Sequence, residues 1–469
     1  MPIDITIRKQ KIKVIASDAQ KALQIRKQLN DSLQYDLISA LERAFADDIS
    51  TNDYITIDRL EIDLGKITPD VFNQHFTILV ESKLKQELEK LKAKSVLHTN
   101  ENPSFTANSE QEQEITALLY FLEFGNFPWW HRKRKIISAA TMLEEFTGER
   151  MQSLILKLMN LQKQKNIETF KRITERFFNN LSANQHETIV KQTAELYNNP
   201  YLVKTVSTII ENREELTELF SIPHQKFFEQ LFRRIILNNE EKKFLQHFIS
   251  SIKEESNLSN KDLKQKLQKM NSALSEGIKV ADIAGKDSTI KKDVFKSFDK
   301  TVEEGIYITN AGLVLLLPFL PSFFQQLGFL NEQHRFVSVA SQQKAVVTLY
   351  YLQCGDDDYK EWEMPFNKIA CGLSPEEVFP NNISIEEAEK EECKILMQSL
   401  VDYWDALKGA SIEAVQNTFI LREGKMSWKE DHWLLQVERT GVDILLDKLP
   451  WSFSTIKLPW LDHLIYTEW

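Results

Sequence analysis

The sequence predicts a mainly α-helical protein with α+β modules at both ends. These are a small N-terminal βαβα unit, an irregular helical middle and a Trp-rich α+β C-terminal domain. Three observations carry that prediction. Period-two apolar alternation is confined to short stretches near the two ends, where it marks strands. Residues 110–275 are rich in helix formers and broken only at a few Gly, Pro and Asn positions. Seven of the nine tryptophans fall after residue 361, beside a hairpin pattern and two Leu-Pro-Trp units. A chain of 469 residues exceeds one ordinary core, so several units are expected. The predicted boundaries are a module at 1–95, a linker at 96–109, a helical array at 110–275, a linker at 276–304 and a C-terminal domain at 305–469.

Along the chain, Ile3, Ile5 and Ile7, then Ile12 and Val14, alternate and read as two short strands or one hairpin. Asp18 is an N-cap for a helix with Leu23, Leu29, Leu33, Leu37, Leu41 and Phe45 at helical spacing. YITIDRLEIDLGKI (54–67) alternates as Ile55, Ile57, then Leu60, Ile62, Leu64, a phase slip that one bulge residue near Asp58 produces. Gly65 ends that strand, and Pro69 suits the first turn of a helix over about 69–94. HTNENPSFTANSE then reads as polar linker.

Helix breaks are expected at GNFPWW (125–130), FTGER (146–150), NNP (198–200), SIP (221–223) and LNNEEK (237–242). No fixed repeat period is present, and the breaks interrupt any heptad register. The block ITNAGLVLLLPFLP (308–321), continued by SFFQQLGFL, predicts a buried helix bent at Pro318 that founds the C-terminal core. A helix at about 338–352 and an acidic loop GDDDYKEWEMP follow. Another helix spans 384–407, with Ser384 and Glu387 as a capping box. Residues 417–439 predict a hairpin with a connection of about 8 to 12 residues.

Composition narrows function mostly by exclusion. A net charge of −10 argues against a general nucleic-acid binder, whose phosphate-facing surface needs uncompensated Lys and Arg. Charge is uneven along the chain: residues 351–400 hold twelve acids against four bases, and residues 121–180 eleven bases against six acids. Such halves dock against each other, against charged partners, or remain solvated. Trp129 and Trp130 precede His131, Arg132, Lys133, Arg134 and Lys135, a pattern that can grip single strands but also suits a packed elbow with a solvated basic run.

Pro318, Pro321, Gln325 and Gln326 interrupt the longest apolar block, so no membrane span is expected. The N-terminus shows no signal-peptide pattern. Cys354, Cys371, Cys393, His334, His432 and His463 match no zinc module, and no cofactor is expected. No nucleophile elbow, P-loop or dinucleotide fingerprint occurs, and Asp431 and His432, adjacent on a predicted strand, point to opposite faces. Asp356, Asp357 and Asp358 lack the glycine and distal glutamate of a calcium loop. The Leu-Pro-Trp units mark corners whose indoles serve either the core or an interface.

Five motifs in one order give the chain a family resemblance. They are YITIDRLEIDLGKI, YFLEFGNFPWW (120–130), ITNAGLVLLLPFLP with FFQQLGFL, MPFNKIACGL (364–373) and LPWSFSTIKLPW. In this order they resemble the tape measure proteins of contractile injection systems, the phage-tail-like particles. The similarity is closest over about 305–469, weaker over the first hundred residues, and only helical in kind over 131–300. The resemblance implies a non-enzymatic protein in the inner-tube lumen, partnered by inner-tube, spike or baseplate proteins, that limits tube length. It also implies cytoplasmic synthesis and incorporation into the particle. A scaffold or adaptor binding effectors or tube subunits through the Trp-rich domain is the alternative. The motif residues implied to matter are Asp58, Leu60, Gly65, Phe127, Pro128, Trp129, Trp130, Asn310, Gly312, Pro318 and Pro321. Asn367, Cys371, Gly372, Pro450, Trp451, Pro459 and Trp460 complete the set. One straight helix over 100–300 would span roughly 300 Å at about 1.5 Å per residue, a geometry the predicted breaks rule out.

Overall fold

The computed structural model describes residues 7, 11–16, 18–33, 36–46, 53–57, 59–97, 105–131, 138–237, 244–256 and 305–469. The chain divides into two compact units, Met1–Ala117 and Leu118–Trp469. Among the described residues it is mainly helical, with a five-stranded mixed sheet near the C-terminus. No described helix is long and apolar enough to cross a membrane.

In the first unit, Asp18 caps α1 (Ala19–Leu33) by accepting from the Lys21 backbone N–H at 2.8 Å. A separate helix α2 (Asp36–Ala46) follows, then β1 (Asp53–Ile57) and α3 (Pro69–Leu97), which Pro69 opens. Leu84 and Leu88 of α3 enclose Ala44 of α2, and Leu41, Phe45, Leu60 and Ile62 pack around them. The expected apolar row of α1–α2 is only partly used, since Leu29 is buried but Leu23 is 65% exposed. β1 pairs antiparallel with β2 (Phe105–Ser109), which lies inside the stretch expected to be linker.

Two strand expectations fail in this unit. Residues 11–16 are irregular, and Ile3 and Ile5 lie outside the described residues. The strand expected over 54–67 stops at Ile57, and residues 59–64 are irregular. Leu60 and Ile62 keep their alternation because it places both against the helix pair, with no strand partner required. The bulge residue Asp58 lies outside the described residues.

The second unit begins within α4 (Glu110–Phe124) and continues as short helices. They are α5 (Ala139–Glu145), α6 (Gly148–Gln164), α7 (Ile167–Asn179), α8 (Ala183–Glu195), α9 (Pro200–Glu211), α10 (Arg213–Phe220), α11 (His224–Ile236) and α12 (Phe244–Ser256). Breaks appear within the stretches expected at 125–130, 146–150, 198–200 and 221–223, although Gly148–Arg150 and Pro200 are already helical, and that at 237–242 lies mostly outside the described residues. Side chains set the stops locally. Ser138, Asn166 and Asn199 accept first-turn N–H groups, and Ser221 takes a left-handed φ of 51° after α10. α11 packs on α7, α8 and α12 through Phe227, Phe228, Phe232 and Ile235, so the array folds back on itself. Residues 257–304, which include the expected second linker, lie outside the described residues.

From Ile306 onward the chain builds a block with its own core. The sheet order is β3 (Ile306–Ile308), β4 (Gly424–Lys429), β5 (His432–Val437), β7 (Leu464–Glu468), β6 (Thr455–Ile456). All neighbours are antiparallel except the parallel β5–β7 pair. Helices α13 (Leu320–Gln326), α14 (Val339–Cys354), α15 (Pro365–Ala370) and α16 (Glu387–Tyr403) surround it. A short α17 (Ile412–Val415) runs into a π-helical turn, Gln416–Ile420.

Four expectations change in this block. The apolar stretch is not one bent helix. It forms two 3₁₀ segments, Ala311–Leu315 and Leu317–Phe319, before α13, because Pro318 and Pro321 each occupy the first turn of a new segment. The capping box of α16 is Glu386 with Glu389, two residues later than expected. The hairpin connection is only Glu430–Asp431, and Glu430 supplies a left-handed φ of 45° where the sequence offered no Gly or Asn. Residues 417–420, expected as strand, are helical.

The open choice for the tryptophans resolves toward packing. Trp362, Trp404, Trp433 and Trp460 are buried, and Trp428, Trp451 and Trp469 pack against the core cluster.

Candidate functional site

Four of the five sequence motifs converge in the second unit, where they fix backbone to backbone through buried polar contacts. The ITNAG motif opens on Asn310, which is fully buried. Its amide donates to Gln353 Oε1 and to Asn367 Oδ1, both at 2.7 Å, and Asn367 donates to Gln353 Oε1 at 3.2 Å. Three amides from β3's end, α14 and α15 are thereby locked together. In an apolar surround such a network specifies one arrangement, since a misplaced amide leaves an unpaired group. Asn310→Ala should therefore lower the stability of the C-terminal block by about 1–3 kcal/mol, read as a shift in its denaturation midpoint.

Gly312 lies against the π-helical turn so closely that a Cβ would sit 1.6 Å from the Phe419 carbonyl oxygen. Ala311 N–H donates to the Arg422 carbonyl at 2.9 Å, fastening the same segment to the start of β4. Both Leu-Pro-Trp units also reach back to earlier motifs. Trp451 Nε1 donates to the Leu315 carbonyl at 3.1 Å, and Trp460 Nε1 to the Ala370 carbonyl at 2.8 Å. Pro450 and Pro459 are exposed and turn the chain so that each following indole points inward. Cys371 ends α15 in full burial, which pushes its thiol well above the usual range and leaves it unreactive as a nucleophile. Gly372 follows with φ 80°, a left-handed turn.

The YFLEFGNFPWW motif meets MPFNKIACGL at a buried charge cluster. Glu361 Oε1 accepts from Arg176 Nε and Nη2, both at 3.1 Å, and from Lys368 Nζ at 2.9 Å. Arg176 also donates to the Leu122 and Glu376 carbonyls, at 2.5 and 2.8 Å. Lys368 donates to the Glu377 carbonyl at 2.7 Å. The Arg176 side chain is 0% exposed, that of Lys368 1% and that of Glu361 11%, so each charge depends on the others for solvation. Burial raises the Glu361 carboxyl, but Arg176 and Lys368 outweigh it and hold the group below its ordinary range. Gly125, at φ 77°, leaves the space: a Cβ there would come within 3.0 Å of Arg176 Nη2. Beside the charges, Phe127 stacks on Phe121 at 5.1 Å between centroids, and both meet Trp362 edge-on.

Some motif residues stay outside these contacts. Pro128 is buried and its carbonyl accepts from His131 N–H, whereas Trp129 and Trp130 are half-exposed. Leu60 and Gly65 belong to the first unit, where Gly65 takes φ 67° next to an Asp63 turn. Of the basic run, Arg132 to Lys135 lie outside the described residues.

Sequence reading passed over Arg176, Glu361, Lys368, Gln353 and Gly125 as individual residues. Lys368 carried a signal, being the lone cation in an otherwise uncharged MPFNKIA segment. The other charges resemble any solvated face until the chain is folded.

A second charge group lies within the array, where Lys226 pairs with Glu175 and Glu229, and Arg233 with Glu229. Among the described residues, no three His, Cys, Asp or Glu side chains are placed to hold a metal ion. Asp431 and His432 do meet, contrary to the strand argument, with Nδ1 and Oδ1 3.0 Å apart, because Asp431 lies in the turn and not in β5. That pair is on the surface, and Asp431 is lowered mainly by the hydrogen bond from His432.

The sequence model of the contractile injection system tape measure protein family matches residues 4–469. The chain belongs to this family. No curated protein and no solved structure gives a match. Membership gives this tape measure family chain a structural, tube-associated role in a contractile injection particle and implies a non-enzymatic one.

Proposed function

We propose that the chain occupies the inner-tube lumen of its particle, contacts the spike or baseplate hub, and stops tube polymerisation when its span is used up. The observation that carries this reading is a family match that runs through the terminal modules and the helical middle alike. In this reading the parts divide the work. The module at 1–95 and the C-terminal domain at 305–469 make end contacts, and the array at 110–275 supplies span between them. The motif residues Asn310, Gly312, Asn367, Trp451 and Trp460 hold the C-terminal domain in one arrangement, and Trp129 and Trp130, half-exposed, are available to tube or hub proteins. The protein is made in the cytoplasm and leaves the cell, where it does, inside the particle.

The longest array helix among the described residues, α6, has 17 residues and spans about 25 Å. Span therefore comes from the array drawn out during assembly and not from a preformed rod. The adaptor alternative draws less support, because Trp404, Trp433 and Trp460 are committed to the block's own core. In-frame deletions within the array separate the two. Tubes that shorten with each deletion support the ruler, and tubes of unchanged length with lost cargo support the adaptor.

A further inference from the structure

Among the described residues, the apolar core cluster of the C-terminal block draws its members from Ile306 onward and none from the helical array. Polar contacts attach the array to the block, and three of them run from one helix to one segment. From α7, Arg172 pairs with Glu376 at 2.9 Å and Arg176 with Glu361, and the Asn179 carbonyl accepts from Asn381. All three partners lie within residues 361–381. Apolar contact across the seam includes an aromatic group in which Phe121 and Phe127 meet Trp362.

We infer that the Arg176–Glu361–Lys368 cluster is an ionic clamp that closes the helical array of residues 118–256 onto the C-terminal block, and that removing its central charge opens this joint while both sides stay folded. Physical chemistry favours a separable joint here. A buried ion pair stabilises little compared with apolar packing of the same volume, yet removing one member leaves charges stranded without water. Glu361 is the member whose loss does most, because it pairs directly with both buried cations, Arg176 and Lys368. A clamp of this kind holds one register firmly and releases sharply. Two separate cores remain behind, that of the array around Phe177, Phe228 and Phe232 and that of the block. The inference does not rest on length control, since it concerns the free full-length chain.

The test is hydrogen exchange on the full chain, comparing parent, Glu361→Leu and the triple variant R176M/E361M/K368M. Glu361→Leu should speed exchange on both sides of the seam, at 170–180 and at 361–379, by on the order of 100-fold. Strands β4 and β5 should keep parental exchange. The triple variant removes all three charges at similar volume and should return the seam to near-parental exchange. Unchanged exchange across 170–180 in Glu361→Leu overturns the inference. So does equal loss of protection in β4 and β5, which would make the cluster part of one indivisible core. A triple variant as open as the single one shows that shape, not charge, holds the joint, and also overturns it.

Discussion

Gly312→Ala is expected to prevent the C-terminal block from folding. The added methyl carbon would lie 1.6 Å from the Phe419 carbonyl oxygen, 2.6 Å from its carbon and 2.8 Å from Ile420 Cα. All three are backbone atoms, so no side-chain rotation relieves the overlap. The π-helical turn is held on its other side by Gln416, whose amide donates to the Leu352 carbonyl at 2.9 Å. Relief therefore requires the 3₁₀ segment to move away from the start of β4, breaking the Ala311–Arg422 hydrogen bond. Overpacking with backbone displacement in a closed core costs upwards of about 4 kcal/mol, a large share of an ordinary domain's stability. Near-UV circular dichroism is the measurement, because the seven indoles of the block sit in fixed surroundings. Retention of the parental spectrum and melting temperature would mean that this close approach is not a constraint.

Leu315→Asp is expected to be about as severe by a different route. Leu315 is 1% exposed, at the end of the first 3₁₀ segment, and its carbonyl receives Trp451 Nε1. Replacing it loses about 2 kcal/mol of apolar burial and strands a carboxylate in an apolar surround, for a total above about 5 kcal/mol. The first unit has its own contacts around Ala44, Leu84 and Leu88, so it should survive. Limited proteolysis should then digest residues 305–469 while a fragment of the first unit persists. Equal resistance of both parts would contradict the assignment of this stretch as the heart of the block.

Local signals in the sequence were readable at several positions where one residue with a strong preference decides the outcome. Asp18 caps α1, Pro69 opens α3, and the stops near Gly125, Asn198 and Ser221 end helices at the expected places. Tertiary contacts overrode local pattern elsewhere. The run from Ile308 to Leu330 has the composition of a helix, but the close approach at Gly312 and two prolines divide it into short segments. The hairpin turn was hidden because Glu430, a residue with no turn preference, takes the left-handed conformation. The charge cluster was the least visible feature. Arg176 and Glu361 lie 185 positions apart, and the excess of bases in 121–180 and acids in 351–400 hinted only that these stretches have opposite character. Folding shows that part of this charge faces inward.

Tube length measured against array length tests the central claim most directly. Removing α8 and α9 together, Ala183–Glu211, takes out about 30 residues. If the array lies helical in the lumen, tubes should shorten by about 45 Å, and if it is drawn out as extended chain, by about 100 Å. Duplicating the same segment should lengthen them by the same amount. Electron micrographs of sheathed particles provide the length distribution directly. A proportional shift in both directions is the predicted result, and assembled tubes of parental length with either change would contradict the account.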